Sequence, residues 1–123
     1  MPALKEKAVC LLGSATVNFA TGSGAQTLFT VPVGKVARIT HVVVRDTSAT
    51  LAGSTNVTLG TAFRGNASIH TPLATMSTSG TDYLVLDQDN TKSTELAAGA
   101  NFQITPTAGA TATGTIDVFG YLT

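Results

Sequence analysis

Tryptophan is absent from this 123-residue sequence, cysteine occurs once, and charged residues make up 11% of it, less than half of the roughly 25% in an average soluble protein. The lone Cys10 excludes an internal disulfide; it lies in an apolar run with no base adjacent, which predicts a buried, unreactive thiol. An excess of either charge is missing as well. Seven Lys and Arg balance seven Asp and Glu, so there is no basic footprint for counterion release onto nucleic acid or for anionic lipid, and neither is expected as a partner. Long hydrophobic runs are missing too. Lys5-Glu6-Lys7 is followed by only five mostly apolar residues, Ala8 to Leu12, too few for a secretory core with its cleavage site or for a bilayer span, so synthesis in the cytoplasm is expected. No window carries a sustained helical period.

What the chain does have is short β-type runs about ten residues apart, separated by Gly, Ser, Thr and Asn. Its length fits one domain with a single core, read as residues 8–123 behind an N-terminal arm, residues 1–7. The stretch Gln26 to Asp46 is the most legible part. Two runs of β-branched, aromatic and aliphatic residues flank Val31-Pro32-Val33-Gly34, which predicts a hairpin with Pro32 and Gly34 at its turn. Asp46-Thr47-Ser48 would end it with residues that bond their own backbone in turns. Further strands are predicted at Ala8 to Leu12, Ala15 to Ala20, Thr55 to Phe63, around Ile69 and Leu73, Tyr83 to Leu86, Asn101 to Pro106 and Thr115 to Leu122. Leu96-Ala97-Ala98-Gly99 repeats on a small scale the sequence logic of the first turn, with Gly99 in the place of Gly34. Eight or nine short strands without helices predict an all-β, antiparallel β-sandwich of jelly-roll type, with an immunoglobulin-like sandwich as the alternative.

Several strands are apolar on both faces. Ala37, Ile39 and Val43 share one side of the long strand, and Val36, Val42 and Val44 the other; Ile116 and Val118 oppose Phe119 and Tyr121. A two-layer sandwich has one interior, so the second apolar face calls for a cover. Self-association is the expectation, with Val36, Val42, Val44, Phe119 and Tyr121 as candidate interface residues for another subunit or another protein.

No reaction chemistry is legible. Gly34-Lys35 lacks the earlier glycine and the following hydroxyl of a phosphate loop, and no nucleophile elbow occurs. His41 and His70 are the only imidazoles and lack metal-ligand spacing, so His41 reads as a core or interface histidine. Asp82, Asp87, Asp89 and Asn90 read as a solvated turn, since the glycine and closing glutamate of a calcium loop are missing. Asn56-Val57-Thr58 and Asn66-Ala67-Ser68 match the glycosylation acceptor pattern but have no secretory context. No enzyme, no cofactor and no metal site is expected. Lys5 and Lys7 are candidates for an arm that reaches onto a neighbouring protein.

The run Thr27-Leu28-Phe29-Thr30-Val31-Pro32-Val33-Gly34-Lys35-Val36-Ala37-Arg38-Ile39-Thr40 resembles a pattern found in small structural proteins of tailed bacteriophages. Leu96-Ala97-Ala98-Gly99 is similar to that family's glycine turn, and Ile116-Asp117-Val118-Phe119-Gly120-Tyr121 to its closing strand. The resemblance implies a virion component, most like a capsid decoration or cement protein. Such a protein is a β-sandwich oligomer, often a trimer, that binds the major capsid protein on the outer surface of the shell. The alternatives are a phage tail or host-contact component and, less in keeping with the aromatic content, a carbohydrate-binding module.

Overall fold

The computed structural model describes residues 9–51, 56–60, 83–87, 95–108 and 110–123. They contain eight strands: β1 Cys10–Asn18, β2 Gln26–Thr30, β3 Ala37–Arg45, β4 Asn56–Leu59, β5 Tyr83–Asp87, β6 Glu95–Leu96, β7 Asn101–Ala108 and β8 Thr113–Leu122. One antiparallel sheet has the order β1-β8-β3-β5, with the short β6 also on β3; the other has the order β2-β7-β4. The predicted antiparallel β-sandwich is therefore present. The N-terminal arm with Lys5 and Lys7, the strand predicted around Ile69 and Leu73, and His70, Asn66, Asp82, Asp89 and Asn90 lie outside the described residues.

The period of two builds the core. Val57 and Leu59 of β4, Phe102 and Ile104 of β7, and Ile116 and Val118 of β8 are all buried between the sheets, joined by Val17, Phe19, Leu28, Leu51 and Leu86. Full burial of a side chain of this size contributes about 1.5–3 kcal/mol relative to exposure. Pro106 sits in the middle strand of its sheet, where a missing N–H normally costs a ladder bond. Here Pro106 pairs with Val57 of β4, but its carbonyl accepts from Gly22 N–H at 3.1 Å on the opposite edge, past the end of the β2 ladder at the Gln26–Ile104 pair, so its nitrogen faces the edge that β2 has left.

The stretch Gln26 to Asp46 does not form the predicted hairpin, because β2 and β3 belong to different sheets. Val31 N–H donates to the carbonyl of Ala100, and Gly99 N–H donates to the carbonyl of Val31, both at 2.9 Å. These bonds extend the β2–β7 ladder, while the chain after Val31 crosses the sandwich to begin β3. The turn is tight all the same: Lys35 N–H reaches the carbonyl of Pro32 at 3.2 Å. Pro32 is thus the first turn residue, and the central pair is Val33-Gly34. The likeness between the two glycine turns is spatial as well as sequential. Ala100 N–H closes on the carbonyl of Ala97 at 3.0 Å, and Gly34 and Gly99 have φ of 78° and 80°, the value glycine supplies at the third position of a type II turn. Side by side, one turn carries the chain from the three-stranded sheet to the five-stranded one, and the other carries it back.

A β-carbon on Gly34 would meet nothing within 4 Å, so substitution there costs only backbone energy. Gly34→Val is expected to destabilise by roughly 1–2 kcal/mol, and Lys35→Ala by much less, in paired denaturant titrations. A larger effect at Lys35 than at Gly34 would contradict this account of the turn.

Two bulges rearrange the faces read from sequence. Along β3, Ile39 pairs with Gly120 and His41 with Phe119, so Thr40 is an extra residue, and its hydroxyl bonds the carbonyl of Phe119 at 3.2 Å. Such an insertion reverses the in-out phase of everything after it. Ala37 and Ile39 point into the core before the bulge, and Val42 and Val44 after it. The two apparent apolar faces of β3 are thus largely one face in two phases. Along β1, Leu11 pairs with Phe119 and Gly13 with Val118, leaving Leu12 as the extra residue. The two predicted strands at Ala8 to Leu12 and Ala15 to Ala20 are consequently one bulged strand.

Two further expectations are corrected. Cys10 is exposed, because it pairs at the open end of an edge strand. Asp46, Thr47 and Ser48 do not close on their own backbone: Asp46 takes φ 54°, and the Ser48 hydroxyl accepts the N–H of Thr113 at 2.9 Å. The Thr47 hydroxyl is buried without a hydrogen-bond partner among the described residues.

Candidate interaction face

The two outer surfaces of the sandwich differ in chemistry. On the three-stranded sheet, Thr27 stands opposite Gln103, Thr30 opposite Asn101 and Thr58 opposite Thr105. The Gln103 side-chain amide donates to the Thr27 hydroxyl at 3.0 Å, and the Thr30 hydroxyl donates to Asn101 Oδ1 at 2.7 Å. Rows of hydroxyls and amides of this kind suit water.

On the five-stranded sheet, register lines up a different set. Leu11, Phe119 and His41 form one row across β1, β8 and β3; Ser14, Asp117, Val43 and Val85 form the next. The His41 and Phe119 rings stack almost coplanar, 4° apart, with centroids at 4.7 Å. Leu11 is 55% exposed and Val85 48%. Large apolar side chains in adjacent rows on an outer sheet face are the arrangement expected of a protein contact surface.

Arg45 and Asp117 pair their charges on this face. Arg45 Nε donates to Asp117 Oδ2 at 2.7 Å and Nη2 to Oδ1 at 3.4 Å, while Nη1 bonds Asp46. The Ser14 hydroxyl adds a 2.6 Å bond to Asp117 Oδ1. The Arg45 hydrogen bond holds the Asp117 carboxyl below its ordinary pKa against the opposing effect of burial, with Ser14 assisting. The same bond, with the charge of Asp117 behind it, raises the Arg45 guanidinium. A charge satisfied within its own molecule loses less on contact with a neutral partner than an unpaired one would.

At the other end of the face, Tyr121, Arg38 and Glu95 stand in a row across β8, β3 and β6. Arg38 Nη2 donates to Glu95 Oε2 at 2.9 Å, and these three residues with Val36 and Thr123 line a surface pocket of about 350 Å³.

Of the candidate interface residues, Phe119 and Tyr121 lie half-buried on this face and Val36 half-buried in the pocket wall. Val42 and Val44 have 0% exposure and cannot present a surface, because the β3 bulge turns them inward. Pro32, Gly34 and Gly99 are exposed in the paired turns at the crossing between the sheets. Sequence reasoning missed Leu11, Val43, Val85 and the Arg45–Asp117 network. Val85 was recoverable as the odd member of Leu84-Val85-Leu86, whereas Leu11 depends on the β1 bulge, which leaves no clear mark in the sequence.

The chain is an all-β sandwich with one outer surface of hydroxyls and amides and one that exposes apolar side chains. No protein-family model matches the chain, and no curated protein matches it. Among solved structures it is similar to a chain of the "Acidic stable capsid structure of Helicobacter pylori bacteriophage KHP30", with 17% identity and a TM-score of 0.44 over 93% of this chain and 87% of that one. It is also similar to a chain of the "Cyanophage Pam1 capsid asymmetric unit", with 16% identity and a TM-score of 0.48 over 94% and 86%. Values at this level define no family for the chain.

Proposed function

We propose that this chain is a bacteriophage virion structural protein, a capsid decoration or cement protein that binds the outer capsid surface as an oligomer and stabilises the shell without catalysing a reaction. The observation that carries the reading is the outer face of the five-stranded sheet, with apolar side chains in register and Arg45 and Asp117 paired internally. The resemblance of the Thr27–Thr40, Leu96–Gly99 and Ile116–Tyr121 segments to phage structural proteins supplies the biological setting. Apart from β5 and β6, successive elements alternate between the sheets, β1, β3, β5, β6 and β8 in one and β2, β4 and β7 in the other, which supports a jelly-roll topology.

A ligand that binds only the assembled shell raises the free energy of disassembly by mass action. Linked copies act together: joining weak contacts in one oligomer strengthens attachment by roughly 10²–10⁴ without any new contact, provided all engage at once. With a formal net charge of zero and Arg45 and Asp117 paired on the face, attachment rests on burial and hydrogen bonds and is expected to weaken only mildly with salt.

The test has two parts. Light scattering after size exclusion is expected to show a species above the 12.5 kDa monomer, three subunits being the number the resemblance favours, and Val85→Asp or Phe119→Ser is expected to reduce assembly. Capsids carrying the protein are expected to survive heating longer than bare ones. Equal robustness of bare and decorated capsids, or co-sedimentation with tails instead of heads, overturns the cement reading, the second result in favour of a tail component.

A further inference from the structure

We propose that the pocket between β3, β6 and β8 is a binding site for a neutral pyranose sugar. Arg38 pairs in register with Tyr121 on one side and Glu95 on the other, so three adjacent strands present an aromatic ring, a guanidinium and a carboxylate side by side on one face. The row sits on ladder positions, and its spacing is therefore set by the sheet. Val36 and Thr123 complete the wall by exchanging backbone bonds, Thr123 N–H to the carbonyl of Val36 at 2.9 Å and Val36 N–H to the carbonyl of Thr123 at 3.2 Å.

The chemistry selects the ligand. Arg38 offers five N–H donors, and its ion pair with Glu95 engages Nη2; both side chains are about half exposed, so the pair contributes little to the fold. Arg38 and Glu95 cancel one another's charge while supplying donors and acceptors next to each other, the pattern that vicinal hydroxyls match, since each hydroxyl donates once and accepts twice. An anion would meet Glu95, and a cation would meet Arg38. Tyr121 adds an apolar ring with a polar tip, a surface suited to the C–H face of a sugar ring. The volume of about 350 Å³ is at the small end of ligand sites, the size for one or two rings.

Titration of the full chain with glucose, galactose, mannose and N-acetylglucosamine, followed by amide NMR shifts, tests this. Saturable shifts at Val36, Arg38, Glu95 and Tyr121 are expected with at least one of these sugars, with Kd on the order of 1–10 mM. Arg38→Gln and Glu95→Gln are each expected to weaken that binding tenfold or more with unchanged thermal unfolding. Absence of saturable shifts up to about 100 mM overturns the proposal. So does binding that both variants retain, or tighter binding of the anionic N-acetylneuraminic acid than of any neutral sugar.

Discussion

Gly120→Ala is expected to destabilise the protein by about 3 kcal/mol or more, near the upper end for overpacking substitutions. A β-carbon at Gly120 would lie 2.1 Å from the carbonyl oxygen of Arg38 and 3.0 Å from Leu12 Cδ1. The oxygen belongs to the backbone and cannot rotate away. Relief would require β3 to move off β8, yet β8 is the strand between β1 and β3, and both of those bulge against it at this point: Thr40 is extra opposite Phe119–Gly120, and Leu12 opposite Val118–Phe119. The bulges bring their backbones close to β8, and glycine is the residue that admits the approach. Thermal unfolding checks this, with a fall in Tm of roughly 10 °C or more. Gly114→Ala is the internal comparison. Its nearest neighbours are side-chain atoms, Phe19 Cε2 and Thr47 Cγ2, each at 3.1 Å, so a smaller loss is expected there. Equal losses at the two positions would mean that the Arg38 carbonyl is not the obstacle.

Phe19→Ala is expected to cost about 3–5 kcal/mol, the range for deleting a buried aromatic ring and leaving a cavity. Phe19 has 0% exposure and is among the largest fully buried side chains. It lies just beyond β1, where its N–H donates to the carbonyl of Ala112 at 2.8 Å, and its ring packs beside Gly114. Neighbours held in ladders cannot collapse freely into the space, which places the cost toward the top of the range. Against a typical total stability of about 5–15 kcal/mol, this removes a large fraction of the fold. In urea the midpoint is expected to fall with the slope unchanged, and Phe19→Leu to retain most of the stability. A loss under about 1 kcal/mol for Phe19→Ala would contradict the central position assigned to the ring.

The comparison of these two positions shows what could be read in advance. Phe19 is legible, since Val17 and Phe19 alternate with Thr16 and Asn18, and period two on a strand means one face inward. Gly120 stands in an ordinary closing strand, and nothing in Val118-Phe119-Gly120-Tyr121 reveals that two neighbouring strands bulge against it. The outer face of the five-stranded sheet divides in the same way: Phe119 and Tyr121 follow from alternation opposite Ile116 and Val118, while the inward turn of Val42 and Val44 does not, because a phase reversal at Thr40 has no local signature.

Legible in the sequence are the all-β class, most strand positions, the glycine turns at Gly34 and Gly99, and the even balance of charge. Each of these rests on local physics: alternation, turn conformation and composition act over a few residues. Long-range packing sends the chain around Pro32 across between sheets instead of closing a hairpin, and makes Val42 and Val44 core. It alone brought Leu11, His41, Phe119, Val43 and Val85 together on one face. Those outcomes depend on which strand takes up each ladder. That choice is made by pairing across long sequence separations, as when Val31 bonds Gly99 and Ala100 instead of the strand that follows it.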